Sequence, residues 1–440
     1  MKNYYPKVLK KLIFSFLLHF LFIGMLSSNA FFQEPKERKQ DFNQFKGKVV
    51  NHNTKKPLIF ATLAIENTNI STITNTEGQF QLKVPKTITN GNVIVTFLGY
   101  VTEKIPLSTL SASKNNIALR ISITELSGVN ITVPKNVRAL VLETLNNKGV
   151  NYFKDPTLMT AFYRETIKKR KKNVSLSEAV VNIYKTPYNS FKKDAIQLYK
   201  ARKSTNYSKL DTLTLKLQGG PFNTLFADIM KYPEYIFRED VMDSYKFTFN
   251  HSTKIDNKLI FVINFEQYNG ITSQLYKGKL YIDAHNKTLT SAIYSLNITN
   301  KHEAARLFIR KKPSKAKVWP TEVAYRVDYR EKDNKWHYGY SNVLLEFKVD
   351  WDDRFFNSVY SMSCEMAVTD WKRNSNNLIP KGKDKLKPSV ILSDEAIGFS
   401  DPNFWGEYNI IEPNKSIESA IKKINRQLKK IKTTTVAVNL

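Results

Sequence analysis

The chain of 440 residues carries 68 Lys and Arg against 39 Asp and Glu, a formal charge of +29, and 54 of the basic residues are lysine. Its one cysteine excludes an intramolecular disulfide, so stability has to come from burial, for which a hydrophobic content of 42% is ordinary. The length allows two or three cores, and the charge favours anionic neighbours.

Lys2, Lys7, Lys10 and Lys11 precede an apolar run from Leu12 to Leu26 and the small-residue pattern Ser28-Asn29-Ala30. This is the pattern of a secretory signal peptide over residues 1–30, cleaved after Ala30. A spanning helix wants roughly twenty apolar residues, and this run is shorter and contains His19. The expected location is the periplasm or the periplasmic face of an outer membrane, with no transmembrane segment in the mature chain. Loss of the four leader lysines leaves a charge of +25. An exported chain without a recognition motif points away from nucleic acid and toward anionic lipid, glycan or an envelope protein as partner.

Residues 42–133 read as a small β-sandwich. In "GQFQLKVP" Phe80, Leu82 and Val84 fall on one face and Gln79, Gln81 and Lys83 on the other, the alternation of a half-buried strand. Asn75 and Gly78 occupy the first and fourth positions that a type I turn favours, so "NTEG" predicts a hairpin turn. Further strands are expected at 92–100, 101–107 and 115–121. The succession Gly47-x-Val49, Pro57-Leu58, Ala61, Thr74-Asn75-x-x-Gly78-x-Phe80 and Leu98-Gly99-Tyr100 resembles the carboxypeptidase regulatory-like domain, a transthyretin-like sandwich. The family's usual acidic residue in that turn is Asn75 here, which keeps the turn and lacks the negative charge that a Ca²⁺ role would draw on.

Residues 134–150 predict a connecting helix. Val137, Leu140, Val141, Thr144 and Leu145 recur at helical spacing, Asn136 is placed to cap and Gly149 to stop it, and the helix is expected to pack the sandwich against the next domain of the chain. Residues 151–413 predict a larger antiparallel, curved, open-barrel-like β domain with a few helices. It holds a basic hairpin tip at Lys168 to Lys172, a Gly-Gly-Pro turn leading into a short helix around Leu225 to Met230, and polar hairpin connections at "AHNK" and "EKDNK". Gly278 to Asp283 and the following hairpin are similar to strands of lipoprotein-carrier-type open barrels, which hold acyl chains. Residues 414–433 predict a C-terminal amphipathic helix, with Ile417, Ala420, Ile421, Ile424, Leu428 and Ile431 on one stripe, docked on the protein or on a membrane. Taken with "NYFKDP", "FYRE" and "FWGEYNIIEPNKSIESAI", the chain is similar to gram-negative envelope proteins with a carboxypeptidase regulatory-like domain, a resemblance that implies no activity.

No peptidase is visible. His52, His251, His285, His302 and His337 are scattered, and in "HEAAR" Arg306 stands where the second ligand of a zinc motif belongs. Cys364 lies in an alternating apolar strand, as a buried small hydrophobe does. Trp319, Trp336, Trp351, Trp371 and Trp405 are core residues by default and sugar-stacking platforms otherwise. Asp350, Asp352 and Asp353 lack the Gly and distal Glu of a calcium loop. No catalytic, cofactor-binding or metal-ligating residue is assigned, and no cofactor is expected. The leading expectation is a non-enzymatic envelope binding or assembly protein, with the sandwich for protein contact and the β domain for an apolar or glycan ligand. The alternatives are a purely structural component or a hydrolase of envelope polymer that uses carboxylates such as Asp283 or Glu322, which would have to lie about 5–9 Å apart.

Overall fold

Alternating apolar and polar residues build eighteen strands in three sheets among the described residues, which in this computed structural model are 41–122, 134–170, 172–205, 219–255, 258–309, 314–352, 356–398 and 404–412. The expected signal peptide and C-terminal helix lie outside them. The architecture is mainly β: a small two-sheet sandwich followed by a large open antiparallel sheet with few helices.

In the sandwich, β1 (Phe42–Asn51), β4 (Gln79–Pro85) and β7 (Asn115–Leu119) form one sheet in the order β4-β1-β7. The other, in the order β3-β2-β5-β6, holds β2 (Thr62–Ile65), β3 (Ser71–Ile73), β5 (Asn92–Thr96) and β6 (Glu103–Pro106). Phe80, Leu82 and Val84 point into its core with Val49, Leu63 and Val95. The Asn75–Gly78 turn closes as its sequence predicts, with Gly78 N donating to Asn75 O (2.9 Å) and Gln79 N to Asn75 Oδ1 (2.8 Å). Gly78 has a φ of 71°, and a Cβ there would come within 2.7 Å of the Val49 carbonyl oxygen, so both backbone and space demand glycine. The expected hairpin is corrected in one respect. β3 and β4 pair in different sheets, so the turn is a corner between the two layers.

The large sheet runs β11-β12-β13-β14-β15-β16-β17-β8-β9-β10 with every neighbouring pair antiparallel, and the two-residue β18 (Ile397–Gly398) joins β10 in parallel. The strands are β8 (Thr157–Lys169), β9 (Lys172–Lys185), β10 (Ala195–Thr205), β11 (Tyr245–Ile255), β12 (Lys258–Gln267), β13 (Tyr276–Asp283), β14 (Thr288–Leu296), β15 (Ala316–Lys332), β16 (Lys335–Trp351) and β17 (Ser358–Arg373). The β15–β16 connection is the expected tight hairpin. Asp333 and Asn334 both take positive φ, 52° and 58°, which matches the twist of the strands they join.

After β10, at one edge of this sheet, the chain crosses to β11 at the other. The crossing segment packs Phe222, Leu225, Ile229, Met230, Tyr232 and Phe237 into the sheet's main core. The short helix within it starts at Pro221, immediately after the Gly-Gly turn, rather than at Leu225, because proline at the first helical position costs no hydrogen bond. α1 (Val137–Asn146) is capped by Asn136, whose Oδ1 accepts from Ala139 N (2.9 Å). Its Leu140 and Val141 enter the same core and it packs against β11, so it belongs to the large domain and does not bridge to the sandwich. The other α-helices among the described residues are α2 (Lys148–Asn151), α3 (Pro221–Leu225), α4 (Lys301–Phe308) and α5 (Leu392–Glu395).

A third core joins sandwich and sheet. Trp405, Ile410 and Ile411 pack with Phe60 and Ile73 of the sandwich and Phe162, Tyr340 and Leu344 of the large sheet, and Phe60 meets Tyr340 directly at 4.9 Å between ring centres. The segment 404–412 is thus a strap. It also buries the polar side of β4 that alternation alone would leave wet: Lys83 N donates to Asn409 Oδ1 (2.7 Å) and Asn409 Nδ2 donates back to Lys83 O (3.1 Å). Direct bonds add to it, from Asn69 Nδ2 to Trp371 O (2.7 Å) and from Ser71 Oγ to Val368 O (3.1 Å). Removing the indole of Trp405, only 3% exposed, is expected to cost about 3–5 kcal/mol as a large-to-small core change. Urea unfolding of Trp405→Ala measures the loss, and hydrogen exchange should rise first in β3 and β4.

Candidate functional site

Asp283 and Glu322 are not brought together. Asp283, 2% exposed, spends its carboxylate on the β13–β14 turn, accepting from His285 N (2.9 Å) and Asn286 N (3.0 Å). It faces Thr288, whereas Glu322 lies two residues beyond Ala324, the partner of Ser295. Those levels differ by about nine residues, or ~30 Å along the strands. Among the described residues no three His, Cys, Asp or Glu side chains are grouped to hold a metal ion.

Buried ionisable groups on the inner face are structural. Lys185 Nζ lies 2.6 Å from Asp194 and 2.7 Å from Asp228, and Asp228 also accepts from Tyr188 (3.2 Å) and Tyr329 (3.0 Å). This network ties the crossing segment to β9 and β15. Glu165 is enclosed on β8 beside Cys364 of β17, with Tyr163 OH donating to Oε2 at 3.1 Å. Burial outweighs that bond and raises the Glu165 carboxyl to about 7, while it drives the Cys364 thiol far above its usual range. Cys364 is fully buried and no thiolate nucleophile. His337 stacks on Phe153 at 4.8 Å between ring centres, and burial with Arg330 nearby lowers it to about 3.

The open, chemically equipped site lies at the end of the sheet where β15 begins. β14 pairs with β15 only from Ser291 to Ser295, which leaves the first residues of β15 without a strand on that side. α4 covers this edge, as exposed strand edges require, with its fully buried Ala304 at the contact and Asn300 capping its start through His302 N (2.9 Å). Between helix and strands runs a groove of about 640 Å³ lined by Lys301, His302, Arg306, Lys317, Trp319 and Asp350 among others. Lys301 Nζ sits 4.8 Å from the centre of the half-buried Trp319 ring. Lys317 faces Asp350 across the β15–β16 pair. Three cations against one carboxylate, beside a flat aromatic face, suit an anionic ligand with a stacking surface. Of the five tryptophans, Trp319 alone lines it; Trp351 and Trp405 are buried, and Trp336 and Trp371 pack against the main core. "HEAAR" supplies groove residues, not a metal site. Its partner strand was invisible in sequence because the missing end of β14 is a fact of sheet register. A smaller groove of about 340 Å³ on the sandwich is lined by Lys46, Lys48, Lys114 and Glu412 among others. Of the expected basic tip, Lys168 is 1% exposed, and Lys171 and Lys172 offer no described side chains. Asp353 likewise lies outside the described residues.

The raised Glu165 carboxyl makes stability depend on pH with a defined sign. The folded state holds the proton that the unfolded chain releases near 4.5, so the contribution is complete below 4.5 and is lost as pH rises to about 7. Glu165→Gln is expected to match the wild type at pH 4 and to be more stable at pH 8 by about 3 kcal/mol, from a shift worth roughly 1.4 kcal/mol per unit. Urea melts of both proteins across this range read the difference.

No curated protein matches the chain. Among solved structures, a DUF1329 family protein from Desulfovibrio piger is 9% identical over 54% of this chain and 92% of its own, with a TM-score of 0.22. MucB in complex with MucA(peri) is 9% identical over 55% and 100%, with a TM-score of 0.17. Lipovitellin, described for its lipid–protein interactions, is 6% identical over 58% and 28%, with a TM-score of 0.25. At those scores none of them carries an assignment. No helix among the described residues is long and apolar enough to cross a membrane. Residues 45–133 match the model of the CarboxypepD_reg-like domain, over the stretch that holds the Asn75–Gly78 corner and the seven strands around it. The sandwich of this protein is therefore a CarboxypepD_reg-like domain.

Proposed function

We propose that the protein is a non-enzymatic binding protein of the cell envelope, which takes an anionic glycan into the groove between α4 and the β15–β16 pair. The observation that carries this reading is the pairing of the Trp319 face with Lys301, Arg306 and Lys317 at one open site. Sugar rings stack on indoles, and uronate or phosphate groups on such a sugar meet the cations. The leader-like pattern of residues 1–30 supports export, where such polymers occur. An apolar ligand in the large sheet is disfavoured, because the crossing segment already fills the inner face with Phe222, Leu225 and their neighbours. A hydrolase based on Asp283 and Glu322 lacks the proximity it needs.

The charged residues Lys301, Arg306 and Lys317 are exposed and Trp319 is half-buried outside the main core, so circular dichroism of each variant is the control that its replacement leaves the fold intact. Titration of the full chain with an oligouronate is expected to quench tryptophan fluorescence, and the neutral oligosaccharide of the same linkage should bind far more weakly. Trp319→Ala should weaken oligouronate binding about tenfold, roughly the worth of one stacking contact. Equal affinity for charged and neutral sugars, or binding indifferent to Trp319→Ala, would sink the proposal.

A further inference from the structure

At the opposite end of the large sheet two loops expose apolar side chains among lysines. The β9–β10 loop carries Phe191 at 102% relative exposure, and the segment after β17 carries Leu378 and Ile379 at 57% and 54%. They share one end of the sheet by register. Arg373 ends β17 opposite Thr157, Thr157 faces Lys185 at the end of β9, and Tyr184 faces Ala195 at the start of β10. From Arg373 the chain runs past the ends of β8 and β9 to Lys385, which bridges to Gln197 of β10, and Leu386 N donates to Ile196 O (2.8 Å). Because Lys385 lies on the side of β10 away from β9, that crossing passes the ends of β8, β9 and β10 and covers four strand spacings, about 19 Å. Phe191 lies in the loop that joins two of the strands it passes.

Neither loop displays its apolar residue through looseness. Lys231 Nζ donates to the carbonyls of Pro187 and Ser190 (2.7 Å each), Thr186 Oγ1 donates to Lys192 O (2.7 Å), and Thr186 N donates to the buried Asp194 (2.8 Å). These bonds fix the loop on both sides of Phe191 and turn its ring outward. In the other loop the buried Asn374 side chain clamps Leu378 at both backbone atoms, accepting from its N–H (2.9 Å) and donating to its carbonyl (2.8 Å). Phe191 is thus presented fully exposed on a bonded loop, where insertion into an apolar phase would gain the burial of its whole ring.

The surround says what covers it. Lys192 and Lys193 flank Phe191, and Lys372, Arg373, Lys381, Lys383, Lys385 and Lys387 are all exposed on the second segment. Asp384 is the one acid between 372 and 387, and Arg373 is the cation paired with an acid outside it, Asp155 at 3.1 Å. An acidic protein would match the charge, but two apolar tips on separate loops, each ringed by lysines, fit a deformable surface better. We propose that this end of the sheet docks on an anionic lipid bilayer, with Phe191, Leu378 and Ile379 entering the headgroup region and the lysines resting on the lipid phosphates. β15 is 17 residues long, so the glycan groove at its start stands about 50 Å from this end and faces away from the bilayer.

Flotation of the full chain with vesicles of phosphatidylglycerol and phosphatidylcholine, against phosphatidylcholine alone, tests the docking. Cys364 is fully buried, so Phe191→Cys takes an environment-sensitive thiol label at that position alone. The expected result is salt-sensitive flotation with the anionic vesicles only, a blue shift of the label, and at least tenfold weaker binding for Phe191→Ser combined with Leu378→Ser. Lys192→Gln with Lys193→Gln should cost a further several-fold, while Trp319→Ala leaves flotation unchanged. Absence of flotation overturns the proposal. So does flotation with a silent label, which would place the contact elsewhere, such as residues 414–433, and so does binding unaffected by the double serine variant. A failed oligouronate titration would leave this outcome standing, since the two sites share no residue.

Discussion

The packing of sandwich, strap and sheet depends on one buried guanidinium. Arg164 of β8 lies 2.7 Å from Glu178 and 3.2 Å from Glu365 on the neighbouring strands, and the same two terminal nitrogens also donate to the carbonyls of Ile411 and Glu412. Arg202 closes the other side of Glu178 at 2.8 Å and lies over the Trp405 ring at 4.9 Å. Two arginines and two glutamates cancel within the group, so no net charge is buried. A lysine could not replace Arg164, since a single ammonium has no planar fork to reach two carboxylates and two carbonyls at once. Such a group contributes little net stability over a well-packed apolar one, but it specifies which strap residues sit where.

That arrangement spends both faces of the large sheet on the protein itself. The inner face takes the crossing segment and α1, and the outer face takes the strap and the sandwich. The sandwich in turn gives its β3 side and the free edge of β4 to the same contact. Among the described residues this leaves the sandwich groove and the two ends of the long strands open to ligands. There the β14 stub leaves an edge for α4 to cover, and there the loops after β9 and β17 emerge. The sheet acts as a spacer that fixes two chemically different ends.

Much of this was legible in the sequence and the rest was not, for separable reasons. Strand alternation, the Asn136 cap, the Asn75–Gly78 turn and the hairpins at "AHNK" and "EKDNK" are local patterns, and each forms where its residues predict. Non-local pairings decide everything that went differently. The turn at Asn75 has the same chemistry whether it closes a hairpin or rounds a corner. α1 has an apolar stripe that does not say which core receives it. Gln81 and Lys83 read as solvent-facing because nothing near them in sequence announces a strap more than three hundred residues away. The groove shows the same limit, since "HEAAR" and Trp319 are each ordinary until register brings them side by side.

The charge of the chain can now be placed. The outer network balances Arg164 and Arg202 against Glu178 and Glu365, and the inner one sets Lys185 and the adjacent Lys231 against Asp194 and Asp228. Each of these two networks balances its own charge, and many of the remaining lysines among the described residues are exposed. A surplus of lysine from genome composition alone would spread over the surface without regard to apolar neighbours. Here exposed lysines surround the outward-turned Phe191 and Leu378, and others meet Trp319, so charge and apolar surface coincide at both ends of the sheet. Coincidence of that kind is what association with anionic, partly apolar surfaces requires, and net charge alone does not provide it.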